Sequence, residues 1–411
     1  MSLNNTKYFY LVTEPPKNVV MSQIVEFAEF FGKNGLDFKA IFILSFKEYI
    51  KNRKQLKASQ KHIAELLRET PEMYAGFFSK NWFGILMSSI LMALRLKLEN
   101  HNSRLVFHSR GGFSSNILAK VKKINRRIEF IYDVRGDNIA EFDYLSRQTN
   151  MPDEKRMRIL GKIAESEKQI MQDASHMFCV SNVLKSKLTG DYDIRQEKIT
   201  VVPCLADPSR FSYNPVLRRK MRKQLKLEAK FALVYPGGIG RWHSTEQVFR
   251  LTAEVLNSND DVFFIILTPD LEAAAVYAER LLPAGRYMIR SAARSEMPGY
   301  LMAADMGLLL REDHPLNEVA SPTKFAEYMI AGLPVMISEN IGDYSAFVRL
   351  NKTGIVINDL KDKAEYLQKF AEFRAGCASL KREEISVKGH QNFSKTKYLP
   401  VMKQIYLSVA G

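Results

Sequence analysis

Lys324 and Glu327 stand three residues apart in the run Ser321-Pro322-Thr323-Lys324-Phe325-Ala326-Glu327-Tyr328, which continues to Gly332-Leu333-Pro334-Val335. Ser321 suits a helix N-cap, Pro322 the first helical position, and Gly332 the left-handed residue that closes a helix. A helix start leaves N–H groups without partners and carries partial positive charge. The amides of Thr323 and Lys324, with the Lys324 ammonium, can therefore hold an anion. Glu327 lies about one turn deeper on the same face, where a carboxylate accepts hydrogen bonds from a pair of sugar hydroxyls. Phosphate at the mouth and ribose behind it describe a nucleoside diphosphate. An ordinary capped helix with a solvated Lys–Glu pair fits the local pattern equally well.

A second constellation is Pro236-Gly237-Gly238-Ile239-Gly240-Arg241-Trp242-His243, which follows the β-branched and aromatic run Phe231–Tyr235. Glycines here let a ligand approach the backbone, and Arg241 can bind phosphate through two parallel hydrogen bonds. Gly237 and Gly238 are thus candidate donors of amide contacts, although a plain strand-to-helix turn would look the same. Two further segments, His108-Ser109-Arg110-Gly111-Gly112 and Asp133-Val134-Arg135-Gly136-Asp137, also follow expected strands. Charged residues beside glycine at strand ends are where loops carry chemistry. Arg110, Asp133 and Arg135 are assigned to an acceptor substrate, and an Asp–Arg pair capping the sheet is the structural alternative. His62, His101, His176, His314 and His390 lack metal-ligand spacing, so no metal and no cofactor are expected.

These residues need a scaffold. Short β-branched runs alternate with helical stretches along the chain, the pattern of parallel sheets covered by helices. One series occupies residues 1–207 and a second 208–389, while a terminal helix at about 390–411 is expected to pack back on the first domain. The expected fold is α/β, with two doubly wound, Rossmann-like domains facing across a cleft. Ligands prefer the carboxyl ends of such strands.

At 411 residues the chain exceeds one ordinary core, and two domains are the natural division. Cys179, Cys204 and Cys377 form no disulfide or zinc pattern, and Met1–Lys7 lacks the apolar stretch of a secretory signal; both fit a cytoplasmic protein. The most apolar stretch, Trp82–Leu98, carries Arg95 and Lys97 and reads as a buried or interfacial helix. Net charge is +15, and residues 51–150 hold 18 Lys and Arg against 9 Asp and Glu. That concentration suits an anionic membrane surface at the inner face as a partner, and a solvated basic face fits it equally well. Nucleic acid is not expected, because no zinc, helix-turn-helix or aromatic ribonucleoprotein signature accompanies the charge.

The run 321–338 resembles the C-terminal signature of retaining GT-B glycosyltransferases of family 4, S-P-x-K-x-x-E-Y-x-x-x-G-x-P-V. Asp133-Val134-Arg135-Gly136 is similar to the D-x-R-G segment of members that build capsules and lipopolysaccharides. The resemblance implies transfer of a sugar, with retention, from a nucleotide-sugar donor to the hydroxyl of an acceptor glycan or lipid-linked glycan. By the same resemblance Gly237, Gly238, Ser321, Thr323 and Glu327 bind donor, Glu327 matching the second, ribose-binding glutamate of an E-x7-E pair. The first glutamate would fall at Val319, and Glu318 is one place off. The diphosphate-binding Arg and Lys of the family would fall at Gly238 and His243. Arg241 and Lys324 are expected to take their place, and Arg241, Lys324 and Glu318 are the catalytic candidates. A GT-B sugar-nucleotide epimerase and a non-catalytic binding protein for sugar nucleotides or membrane surfaces are the alternatives.

Overall fold

The computed structural model describes residues 6–16, 20–76, 82–99, 103–240, 244–377 and 380–411. The chain divides into two units. The first comprises residues up to 179, 185–201 and 399–411, and the second comprises 180–184 and 202–398.

The first unit holds seven strands: β1 (Thr6–Val12), β2 (Phe38–Ser45), β3 (Glu72–Gly76), β4 (Arg104–Arg110), β5 (Ile128–Val134), β6 (His176–Cys179) and β7 (Ile199–Val201). Their order is β3-β2-β1-β4-β5-β6-β7, and every pairing is parallel. Parallel sheets bury both faces, which is why β4 and β5 read as nearly continuous apolar runs. The chain winds outward from β1 in one direction and from β4 in the other, so the switch point lies between those two strands. The final helix, Lys395–Ala410, adds the fully buried Tyr406 to this core, ringed by Tyr8, Phe31, Phe38 and Phe178.

Six parallel strands build the second unit: β8 (Phe231–Pro236), β9 (Val262–Leu267), β10 (Tyr287–Arg290), β11 (Met306–Leu309), β12 (Val335–Ser338) and β13 (Gly354–Ile357). The order β10-β9-β8-β11-β12-β13 puts the switch point between β8 and β11. Two edge strands, β3 and β13, go beyond the runs read from the sequence. Glu72-Met73-Tyr74-Ala75-Gly76 has no β-branched residue to mark it. Asp305, just before β11, accepts from Arg218, Arg222 and the Ala232 N–H, which ties the basic helix Pro215–Gln224 to the sheet.

The helix Thr323–Ile330 joins β11 to β12 through its buried face. Phe325, Tyr328, Met329 and Ile330 are all fully buried, and each such side chain stabilises the fold by about 1.5–3 kcal/mol. Phe325 stacks on Tyr344 and meets Phe393 edge-on. The helix ends where the sequence places its end. Gly332 takes φ +62°, its N–H donates to the Met329 carbonyl at 3.0 Å, and the Leu333 N–H donates to the Tyr328 carbonyl at 2.8 Å. This is a Schellman closure, and a Cβ at Gly332 would collide with the Arg382 carbonyl.

Candidate active site

In the second unit Gly237 and Lys324 meet at the carboxyl end of β8. Lys324 reaches back from the first turn of its helix and lays its ammonium over the Tyr235 ring, 4.8 Å from the centroid. A Cβ on Gly237 would sit 3.0 Å from Lys324 Nζ, so glycine makes room for the lysine as β8 ends. Burial first, and the charge of Arg311 second, outweigh the pull of Glu327 and lower the Lys324 pKa to about 7. Glu327 is 8% exposed, one turn deeper, with Arg294 Nη1 at 3.9 Å from its Oε1.

The glycine loop uses most of its amides internally. Gly237 N–H donates to the Leu267 carbonyl at 2.9 Å, Ile239 N–H to Asp270 Oδ2 at 2.9 Å, and Gly240 N–H to Thr245 Oγ1 at 3.1 Å. Gly238 N–H alone of these has no acceptor among the described residues. Arg241, Trp242 and His243 lie outside the described residues.

Ser321 departs from its expected part. The helix begins at Thr323 with no side-chain cap. The Ser321 hydroxyl is buried, where it accepts from the Cys204 N–H at 2.8 Å and pairs with the Tyr344 hydroxyl at 2.5 Å. Tertiary partners claimed the oxygen that local propensity gave to the cap. Thr323 is half-buried in the first turn. Glu318 ends the short helix Pro315–Glu318 and is exposed, whereas Val319 beside it is 3% exposed.

Sequence reading missed Arg311. It stands two residues past the end of β11, donates from Nη1 to Asn317 Oδ1 at 3.1 Å, and has its backbone N–H held by Ser338 Oγ at 2.9 Å. Its Nε is buried and has no acceptor among the described residues. Neither Arg311 nor Lys324 has a carboxylate within salt-bridge distance among those residues. Two cations without a salt-bridge partner among the described residues therefore stand at neighbouring strand ends beside a helix N-terminus. Such an arrangement is suited to an anion of more than one charge.

The first unit holds a separate constellation at its own switch point. Asp133, fully buried at the end of β5, accepts from Arg135 Nε at 2.6 Å and from His108 Nε2 at 3.2 Å. A carboxylate only accepts, so His108 carries its proton on Nε2, and its Nδ1 accepts from the Tyr406 hydroxyl. Burial works against charge on Asp133, but Arg135, the His108 hydrogen bond and Arg110 outweigh it and hold the carboxyl well below its usual range. Burial likewise keeps His108 below its ordinary value. Asp133 Oδ1 and Arg110 Nη1 are buried without partners among the described residues. Arg110, Asp133 and Arg135 thus come together as the sequence suggested. His108 and Tyr406 join them through hydrogen bonds that the sequence did not announce.

Comparison with known proteins bears on the fold first. Solved structures of similar shape include a glycosyltransferase from Rickettsia africae (TM-score 0.72, 16% identity, 99% of each chain covered). A sucrose-phosphate synthase from Thermosynechococcus elongatus matches with TM-score 0.71 and 12% identity, over 98% of this chain and 99% of that one. HepE from Anabaena, solved with UDP and glucose, matches with TM-score 0.67 and 14% identity over 98% and 100%. The fold is GT-B. Residues 290–376, which include the helix Thr323–Ile330, match the family model of glucosyltransferase 3-like C-terminal domains. A curated relative, described as a teichuronic acid biosynthesis glycosyltransferase, TuaH, of Bacillus subtilis (strain 168), is 25% identical over 193 residues. That match takes in 47% of this chain and 46% of TuaH, so the chain spans about half the length of the curated relative it matches.

Proposed function

We propose that the chain is a retaining, metal-independent GT-B glycosyltransferase of family 4 that moves a sugar from a nucleoside-diphosphate donor to an acceptor hydroxyl. The observation that carries this reading is Lys324, a cation without a carboxylate partner at a helix N-terminus and a strand switch point, with buried Glu327 one turn behind. Lys324, the helix amides and the Gly238 N–H would stabilise charge growing on the departing diphosphate, the kind of preorganised electrostatics that lowers a barrier most. Glu327 would hold the ribose diol. Arg241 would add phosphate contact, and Glu318, one place from the position of the family's first glutamate, would be the carboxylate near the donor sugar. In this mechanism the departing phosphate takes the acceptor proton on the same face, so the protein supplies no nucleophile. Arg110, Asp133 and Arg135 would hold the acceptor.

UDP and glucose in the HepE structure, the glucosyltransferase 3-like family model and the name of TuaH all support a nucleotide-sugar donor. A thermal-shift screen of UDP-, GDP-, ADP- and dTDP-sugars tests it. One donor at 100 times its dissociation constant adds about 2.7 kcal/mol of stability. Failure of every donor to move the melting temperature overturns the reading. NMR of the product anomer, formed with that donor, distinguishes retention from inversion.

TuaH and the D-x-R-G segment favour a role in cell-surface polysaccharide synthesis, with a glycan or lipid-linked glycan as acceptor. The first unit supports work at the inner membrane face. No helix among the described residues is long and apolar enough to cross a membrane. Yet Phe46, Ile50, Phe83, Leu91 and Leu94 are each at least 40% exposed, in the same stretch as exposed Lys47, Lys51, Lys54 and Lys57. Each basic residue at an anionic surface contributes about 1 kcal/mol. Cosedimentation with phosphatidylglycerol vesicles is expected at low salt and should fall as salt rises. No binding at low salt, or binding indifferent to salt, would remove the membrane from this account.

A further inference from the structure

We propose that Arg311 is the second phosphate-binding cation of the donor site and gives that site its preference for a diphosphate over a monophosphate. The inference rests on the donor-site reading above and extends it to a residue outside every motif recognised in the sequence.

Three observations converge on it. Arg311 stands at the carboxyl end of β11, the strand that pairs with β8 at the switch point, where an open parallel sheet receives ligands. Its guanidinium is held to the protein by a single side-chain partner, Asn317, and its buried Nε–H has no acceptor among the described residues. A buried charge with incomplete hydrogen bonding is costly, and an anionic ligand completes it. Finally, the charge of Arg311 opposes that of Lys324, and neither cation has a carboxylate within salt-bridge distance among the described residues, Glu327 acting on Lys324 only from farther off. Two adjacent like charges oppose folding unless something of opposite sign joins them. A monophosphate brings a single phosphate group to the two cations, whereas a diphosphate can offer one to each.

Geometry at residue 311 also selects arginine over lysine. With Nη1 committed to Asn317, the planar fork still has donors to offer, while an ammonium at the same place would give up one interaction to make the other.

The experiment is isothermal titration of the full chain with UDP, GDP and ADP, then with the monophosphate of whichever binds. For the wild type, diphosphate binding should be at least 30 times tighter than monophosphate binding. In Arg311→Gln that ratio should fall below about threefold, with Arg311→Lys in between. General damage to the fold would weaken both nucleotides together and leave the ratio unchanged; that result overturns the assignment. If Arg311→Gln fails to fold, Arg311→Lys decides: a ratio below that of the wild type supports the assignment, and an unchanged ratio overturns it. A wild type that binds no nucleoside diphosphate removes the donor reading and this assignment together. A wild type that binds, beside variants with the wild-type ratio, removes Arg311 alone.

Discussion

Lys324→Gln is expected to lower turnover roughly 100- to 1,000-fold, the scale of removing one preorganised donor from a developing anion. The same change should abolish proton uptake on nucleotide binding. The second effect follows from the depressed pKa of about 7, set first by burial and then by Arg311. At pH 8 such a lysine is neutral in about nine molecules of ten, and a bound phosphate restores its charge. Diphosphate binding to the wild type at pH 8 should therefore take up close to one proton. Titrations in Tris and in HEPES, whose ionisation enthalpies differ, should give different binding enthalpies for the wild type and equal ones for Lys324→Gln. Affinity should fall as pH rises above about 7, approaching tenfold per unit. Stability of the free protein runs the opposite way. The folded pKa lies below the unfolded value of about 10.4, so the unfolded chain binds more protons between pH 7 and 10 and stability rises with pH there. A flat affinity between pH 6 and 9 would show that Lys324 does not meet the phosphate.

How much of this was legible follows from how local each signal is. Gly332 and its neighbours write their own turn, because a Schellman closure needs only one left-handed residue and the carbonyls just before it. Lys324 and Glu327 were readable for the same reason, since one helix fixes their spacing. Ser321 was misread because capping is a local preference, while Cys204 and Tyr344, which claim its hydroxyl, come from distant segments. Arg311 was invisible. Arg311-Glu312-Asp313 looks like a charged turn, and it acquires meaning only when β11 pairs with β8.

The first unit repeats the lesson. Asp133 and Arg135 are two residues apart, and their pairing could be guessed. Tyr406 enters from nearly the far end of the chain and determines what His108 accepts. Both switch points nevertheless attract charged strand-end residues. Parallel strands all end on one side there, and the flanking loops diverge and leave space. Topology, more than motif, selects which of many charged loop residues face a ligand.

Asp133→Asn should destabilise the first unit by about 3–5 kcal/mol, the usual result of removing one partner from a buried ion pair. Asparagine fills the same space but leaves Arg135, Arg110 and the His108 Nε2–H around a group without charge. Urea unfolding should show a lower midpoint with an unchanged slope. pH supplies an independent check. Asp133 titrates below its unfolded value of about 3.9, so its contribution is present above that pH and is lost on acidification. His108 is also depressed. The unfolded chain binds that proton first as pH drops below about 6.5, and stability begins to fall there. Wild-type stability should thus decline in two stages, one from His108 below pH 6.5 and one from Asp133 below pH 4, and Asp133→Asn should lose the second. Equal urea midpoints for Asp133→Asn and wild type would show that the cluster contributes nothing to holding this sheet end together. An acceptor-binding role for Arg110 and Arg135 would then have to stand without Asp133 to position them.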